Sequence, residues 1–213
     1  MSTSGETDLV IDYLDPQRHY GLMRACELMA IAMVARDVGA EAYVSIGSGT
    51  GWDFAALRDR YACGMAMLGF DWSQPLPQNS CVGLEVCPGT IFEPSAAFDA
   101  LASEGQHFTA YVHGKISAFA GRFAGPVLYY TDNGCKKCEL RELLRWAKPG
   151  DVFGTHDYGD SRSSLTRGGT GIEVHERDCG FLSGAGFSEV ASIQPWLEEQ
   201  RCSQNFWAKG ARP

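Results

Sequence analysis

The chain has no apolar run near the about 18 residues that a membrane-crossing helix needs, so no segment reads as a span. It also lacks a basic run. The longest cluster is Lys136-Lys137, in a chain of formal net charge −8. That argues against a nucleic-acid partner and for a small or neutral one. Internal repeats and a Pro/Ser-rich linker are absent, and 213 residues suffice for one domain with a full core. The opening Met1–Asp8 is polar and acidic, unlike a signal peptide, so a cytoplasmic protein with eight reduced cysteines is expected. No second CxxC accompanies Cys135-Lys-Lys-Cys138, so a four-ligand zinc set is not completed.

What the chain does have is an alternation of elements. Leu22, Cys26, Met29, Ala30, Met33 and Val34 recur at helical spacing within Pro16–Val38, which makes residues 1–41 an N-terminal helical segment capping the rest. From residue 42 onward strands and helices alternate. The expected strands are Ala42–Ile46, Met65–Phe70, Val82–Val86, Phe108–His113, Pro126–Thr131 and Asp151–Thr155, with a closing pair near Phe187–Ile193 and Asn205–Ala208. Helices are expected at Trp52–Leu57, Pro94–Glu104, Ile116–Phe123, Glu139–Ala147 and Val174–Gly180, and a loop at Ser161–Gly171. Such alternation implies a Rossmann-like, doubly wound α/β domain over 42–213, with a mostly parallel sheet. Ligands of such sheets bind beyond the carboxyl ends of the strands. Gly47, Asp71, Gly114, Asp132 and Asp157 all follow expected strand ends.

Gly47, Ser48, Gly49 and Gly51 form a glycine loop between a strand and a helix, where a backbone free of Cβ atoms can approach a ligand. Asp71 closes the next strand about 20 residues on, where a carboxylate can accept hydrogen bonds from ribose hydroxyls. Trp72 follows it and offers a ring for stacking on a base. The GxGxG spacing departs from the GxGxxG dinucleotide fingerprint.

Val44-Ser-Ile-Gly-Ser-Gly-Thr-Gly51 and the following Asp71 resemble the first two motifs of class I S-adenosylmethionine-dependent methyltransferases. The later pattern, Tyr130-Thr-Asp132 before a helix, then Lys148-Pro-Gly-Asp151 and His156-Asp-Tyr158, is similar to the branch that holds macrocin-type O-methyltransferases and cephalosporin hydroxylase-like proteins. The resemblance covers about Ala42 to Tyr158. It implies S-adenosylmethionine at Gly47, Ser48, Gly49, Gly51, Asp71 and Trp72, with Ile116 of His113-Gly-Lys-Ile-Ser117 near the adenine. Two departures stand out. Ser45 occupies a position that is often acidic in the family, and Asp132-Asn-Gly-Cys135 stands where Asp-Gly-Asp-His is common.

The implied chemistry is methyl transfer to a hydroxyl. Asp132 and Asp157 at neighbouring strand ends, with Asn133 as a third candidate, are the expected ligands of a hard divalent cation such as Mg²⁺. His156 is a candidate general base, and Asp132 shares the catalytic assignment. The acceptor is a small molecule or a sugar, with no membrane partner, and a homodimer is admitted. Three other readings stay open: a methyltransferase-like protein that holds the cofactor without transfer, a nicotinamide-dependent oxidoreductase using the same glycine loop, and a thiol redox role for Cys135 and Cys138.

Overall fold

A computed structural model describes residues 19–20, 23–47, 52–61, 63–70, 91–93, 110–132, 136–159, 174–175 and 179–210. The chain enters through a two-residue ribbon, β1 (His19–Tyr20) against β2 (Met23–Arg24). Helix α1 (Ala25–Val38) follows at once. Its first turn is closed by Glu27, whose Oε2 accepts from the Arg24 backbone N–H at 2.8 Å. The helix ends at Gly39, with φ 65° in the left-handed region that glycine enters without strain. The sequence expectation began this helix nine residues earlier, at Pro16. The ribbon takes part of that stretch because β pairing needs only a turn, whereas helical spacing alone cannot show where a helix begins.

The main sheet has seven strands in the order β10-β11-β7-β6-β3-β4-β5. These are β3 (Ala42–Ile46), β4 (Ala66–Phe70), β5 (Ile91–Glu93), β6 (Val127–Thr131), β7 (Val152–His156), β10 (Phe187–Glu189) and β11 (Gln204–Lys209). Pairs β4/β5, β3/β4, β3/β6 and β6/β7 are parallel, while β11 runs antiparallel to both β7 and β10. A small parallel pair, β8 (Tyr158–Gly159) with β9 (Val174–His175), lies outside this sheet.

Helices cover both faces, as a buried parallel sheet requires. On one face α1 packs with α2 (Trp52–Ala55), the π-helical turn Ala56–Arg60 and α6 (Gln194–Glu199). Tyr43, Leu128, Tyr130, Val152 and Phe206 meet them from the sheet. On the other face α3 (Ala110–Ala120), α4 (Lys136–Leu143) and α5 (Gly180–Gly184) cover Val44, Ile46, Tyr129, Phe153 and Trp207. The N-terminal helix therefore shares a core with the sheet it was expected to cap.

Three expectations need correction. The strand expected at Phe108–His113 is helical from Ala110 onward, since α3 spans Ala110–Ala120. The β-branched and aromatic residues there suggested a strand, but burial of one helical stripe decides it: Ile116, Phe119 and Ala120 face the sheet core. The helix expected at Val174–Gly180 instead begins as β9, and helix starts only at Gly180. The chain from Phe187 leaves the sheet after Glu189 and enters α6, whose second residue is Pro195. The segments Val82–Val86, Pro94–Glu104 and Ser161–Gly171 lie outside the described residues.

The Lys-Pro-Gly-Asp segment has a structural role. Asp151 accepts from the backbone N–H of Val127 and of Lys148, each at 2.8 Å, and so ties the turn before β7 to the start of β6. Gly150 takes φ 90° there. This tie helps hold the neighbouring strands in register, so their carboxyl ends, with Asp132 and His156, emerge side by side.

Candidate functional site at the strand ends

The carboxyl ends of β3, β6 and β7 form one rim. Gly47 follows β3 with φ 91°, and its N–H donates to the Phe70 carbonyl at 2.8 Å. Asp132 follows β6, and its N–H donates to the Ile46 carbonyl at 2.7 Å. Glycine therefore stands where β3 turns, in the backbone conformation that a side chain resists. Ser48, Gly49, Gly51, Asp71, Trp72 and Asn133 lie outside the described residues.

Beside Gly47 the rim carries a cluster of charges. His156 Nδ1 lies 3.3 Å from Asp132 Oδ1 and 3.1 Å from Asp157 Oδ1. His156 Nε2 lies 3.4 Å from Glu27 Oε1, which is ion-pair distance, and it makes no hydrogen bond among the described residues. Three carboxylates from three elements thus surround one imidazole. Asp157 achieves this with φ 53°, a left-handed conformation that Asp tolerates better than most residues and that turns the chain as β7 ends.

The electrostatics follow from this crowding. Burial works to lower the imidazole pKa, but Asp132, Asp157 and Glu27 outweigh it and raise it well above the ordinary 6.5. Burial likewise pushes the Glu27 carboxyl up. The contacts with His156 and Arg24 pull it down more strongly, to about 2. Asp157 is held below its ordinary value, where the pull of His156 and Lys136 exceeds the effect of burial. Carboxylates thus face His156 at both nitrogens and favour the charged form of the ring, whereas the general base expected at this residue acts in its neutral form.

Lys136 completes the cluster. It lies in the first turn of α4, is 3% exposed, and sets its Nζ 3.0 Å from Asp157 Oδ2 and 3.7 Å from Asp132 Oδ1. Among the described residues, Asp132, His156 and Asp157 place one ligand atom each within 4.8 Å of one another, a spacing that a divalent cation could bridge. An ammonium already lies against both carboxylates of that set. The donors do not fit a divalent ion while Lys136 keeps this position.

Ile116 was expected near the adenine but is fully buried on α3, in the core under the sheet, and offers no surface to a ligand. His113, of the same segment, lies 3.2 Å from Glu142 and 4.7 Å from the Trp146 ring, so it ties α3 to α4 and the turn after it. Cys138 is disulfide-bonded, which corrects the expectation of eight thiols, while Cys26, Cys63, Cys179 and Cys202 are free and buried.

Three residues of the site escaped the sequence reading. Glu27 sat unnoticed within the apolar stripe of α1. Lys136 stood out only as half of the longest basic cluster, and its spacing from Asp132 carried no helical signal, because Asp132 lies at a strand end before α4 begins. Asp53, in the first turn of α2, is 4% exposed beside Ser45. Its Oδ2 accepts from the Tyr43 hydroxyl at 3.0 Å, while Oδ1 has no hydrogen-bond partner among the described residues. A buried carboxylate thus stands next to Ser45, where β3 itself lacks an acid.

No protein-family model matches the sequence. None of the curated proteins matches it either. Solved structures do match. A sugar N-methyltransferase from a Streptoalloteichus species is 14% identical with a TM-score of 0.53, over 94% of this chain and 92% of that one. A putative O-methyltransferase from Klebsiella pneumoniae is 13% identical with a TM-score of 0.52, over 99% and 91%. Fibrillarin from Aeropyrum pernix, solved with natively bound S-adenosyl-L-methionine, is 11% identical with a TM-score of 0.50, over 85% and 74%. At such identities the likeness is one of architecture: the chain has the Rossmann-like α/β fold of class I S-adenosylmethionine-dependent methyltransferases.

Proposed function

We propose that this chain is an S-adenosylmethionine-dependent methyltransferase acting on a hydroxyl of a small molecule or sugar. The observation that carries the reading is the placement of the Gly47 turn and the Asp132/His156/Asp157 cluster on adjoining strand ends of this fold. The solved structures with the same fold include N- and O-methyltransferases, which supports methyl transfer as the reaction class. The hydroxyl acceptor rests on the chemistry of the cluster.

S-adenosylmethionine supplies an electrophilic methyl group on a sulfonium, which needs a nucleophile aligned with it rather than strong base catalysis. Gly47 and the glycine loop would hold it, with Asp71 toward its ribose. Asp132 is the most exposed carboxylate of the cluster, its side chain 21% accessible. When bound, the cofactor would supply the methyl group and leave as the neutral thioether once its carbon–sulfur bond breaks, and Asp132 would accept the proton of the methylated hydroxyl. His156 positions Asp132 through the contact at Nδ1, and Glu27 and Asp157 hold His156 in place. The residue types at Asp132, Asp157 and Asn133 also suit a hard cation. Lys136 stands against one, and the proton path here uses Asp132 alone.

Cofactor binding without transfer is a second reading, favoured by Ser45, which puts a hydroxyl on β3 where the family often has an acid. Calorimetry with S-adenosylhomocysteine and with NAD tests the main proposal. Stoichiometric binding of the first and none of the second is expected. NAD binding would favour an oxidoreductase, and failure of any adenosyl compound to bind would sink the proposal. Binding without methyl transfer across a panel of phenols and sugars would favour the second reading.

A further inference from the structure

We infer that Lys136 is the resident cation of the strand-end cluster. Its ammonium takes the position that a divalent ion would need between the carboxylates of Asp132 and Asp157, so the site works without a metal. This concerns the cluster itself and holds whether or not the cofactor reading does.

The geometry carries it. Asp132 and Asp157 come from successive strands, and the Lys136 Nζ contacts both, at 3.7 and 3.0 Å. The contact with Asp157 is a hydrogen bond, and the lysine is 3% exposed. A buried ammonium is retained only where carboxylates offset the loss of its hydration, and here two do. Lys136 is the first residue of α4, and that helix start brings the amine to the carboxyl ends of β6 and β7.

The charge count agrees. The acids at the cluster are Glu27, Asp132 and Asp157. Arg24 bonds Glu27 at 2.6 Å, Lys136 bonds Asp157, and His156 lies among all three acids. Among the described residues, Arg24 and Lys136 thus already set permanent cations of the chain against these carboxylates. Adding a divalent ion would set two positive charges a few ångströms from the ammonium, in a site largely shielded from water. A hard cation also demands several oxygen ligands at short range, and the amine excludes them from the shared edge of the two carboxylates.

The consequence is that one substitution should convert the cluster into a metal site. The test is Mn²⁺ titration of the full-length protein, followed by electron paramagnetic resonance. The wild type is expected to show no saturable binding at sub-millimolar Mn²⁺. Lys136→Ala should bind one Mn²⁺ at least tenfold more tightly than the wild type. Adding Asp157→Asn to that variant should remove the gain, and Lys136→Arg, which keeps a cation, should behave as the wild type. A Lys136→Ala protein that folds only when Mn²⁺ or Mg²⁺ is present supports the inference as well. Lys136→Gln, which keeps the length of the side chain without its charge, carries the test if the alanine variant folds in neither condition. Saturable Mn²⁺ binding by the wild type, as tight as by the variants, overturns it. So does a folded Lys136→Ala or Lys136→Gln protein that gains no binding. Methyltransferase activity does not enter, so failure here is distinct from failure to bind S-adenosylhomocysteine.

Discussion

Asp53 sits at the start of α2 with one carboxyl oxygen against the Tyr43 hydroxyl and the other without a hydrogen-bond partner among the described residues. Burial pushes its carboxyl up to about 7 from the ordinary 3.8, against the pull of Ser45 and Tyr43. The folded state therefore holds this proton more tightly than the unfolded chain does. Its contribution to stability is fully present below pH 3.8 and is lost as pH rises through about 7. Asp53→Asn keeps an acceptor for Tyr43 and removes the ionisation. We expect the variant to match the wild type in Tm near pH 4 and to exceed it at pH 8, where the buried ionisation costs the wild type about 4 kcal/mol of stability. Parallel pH–Tm profiles for the two proteins would remove the buried carboxylate from the account. Glu27 behaves in the opposite sense. Its pKa near 2 means that its contribution is present above 4.5 and is lost as pH falls through 2.

At the scale of elements, β7 decides whether the site forms. It lies between β6 and β11 and ends in His156. Gly154, at its centre, faces two aromatic rings. A Cβ built there would lie 2.7 Å from both the Tyr130 and the Phe206 rings. Both rings belong to fully buried side chains, so neither can swing away. Gly154→Ala should cost about 1–3 kcal/mol through overpacking, read as a lowered urea midpoint with unchanged m-value. Because β7 would shift against its neighbours, His156 should lose its contact with Asp132, and under the function proposed above methyl transfer should fall more than the stability loss explains. An alanine variant with wild-type midpoint and turnover would show that β7 has slack here.

The whole molecule depends on a strand from the end of the chain. Strand β11 pairs five residues with β7 and three with β10, so it joins the two parts of the sheet. Phe206 enters one core and Trp207 the other. Deleting residues 204–213 would leave β7 with an open edge and remove packing from both faces. We expect the truncated chain to lose cooperative thermal unfolding, as followed by circular dichroism. A sharp transition with native-like ellipticity would show that the first five strands fold by themselves.

The alternation of apolar runs and glycine turns was sufficient to imply a doubly wound sheet, because a strand buried on both faces must be apolar along its length. Gly47, Asp132, His156 and Asp157 were legible for the same reason: a polar or glycine residue just past such a run lies at a strand end. Helix and strand were confused at Phe108–His113, where a short apolar segment suits either form and only packing decides. The sequence by itself determined the fold class and which strand ends carry chemistry. Only the tertiary structure brought Glu27 and Lys136 to those ends, and with them the charge state of His156 and the occupancy of the carboxylate pair. Those are properties of distances between residues far apart in the chain, and a list of residue types carries no distances.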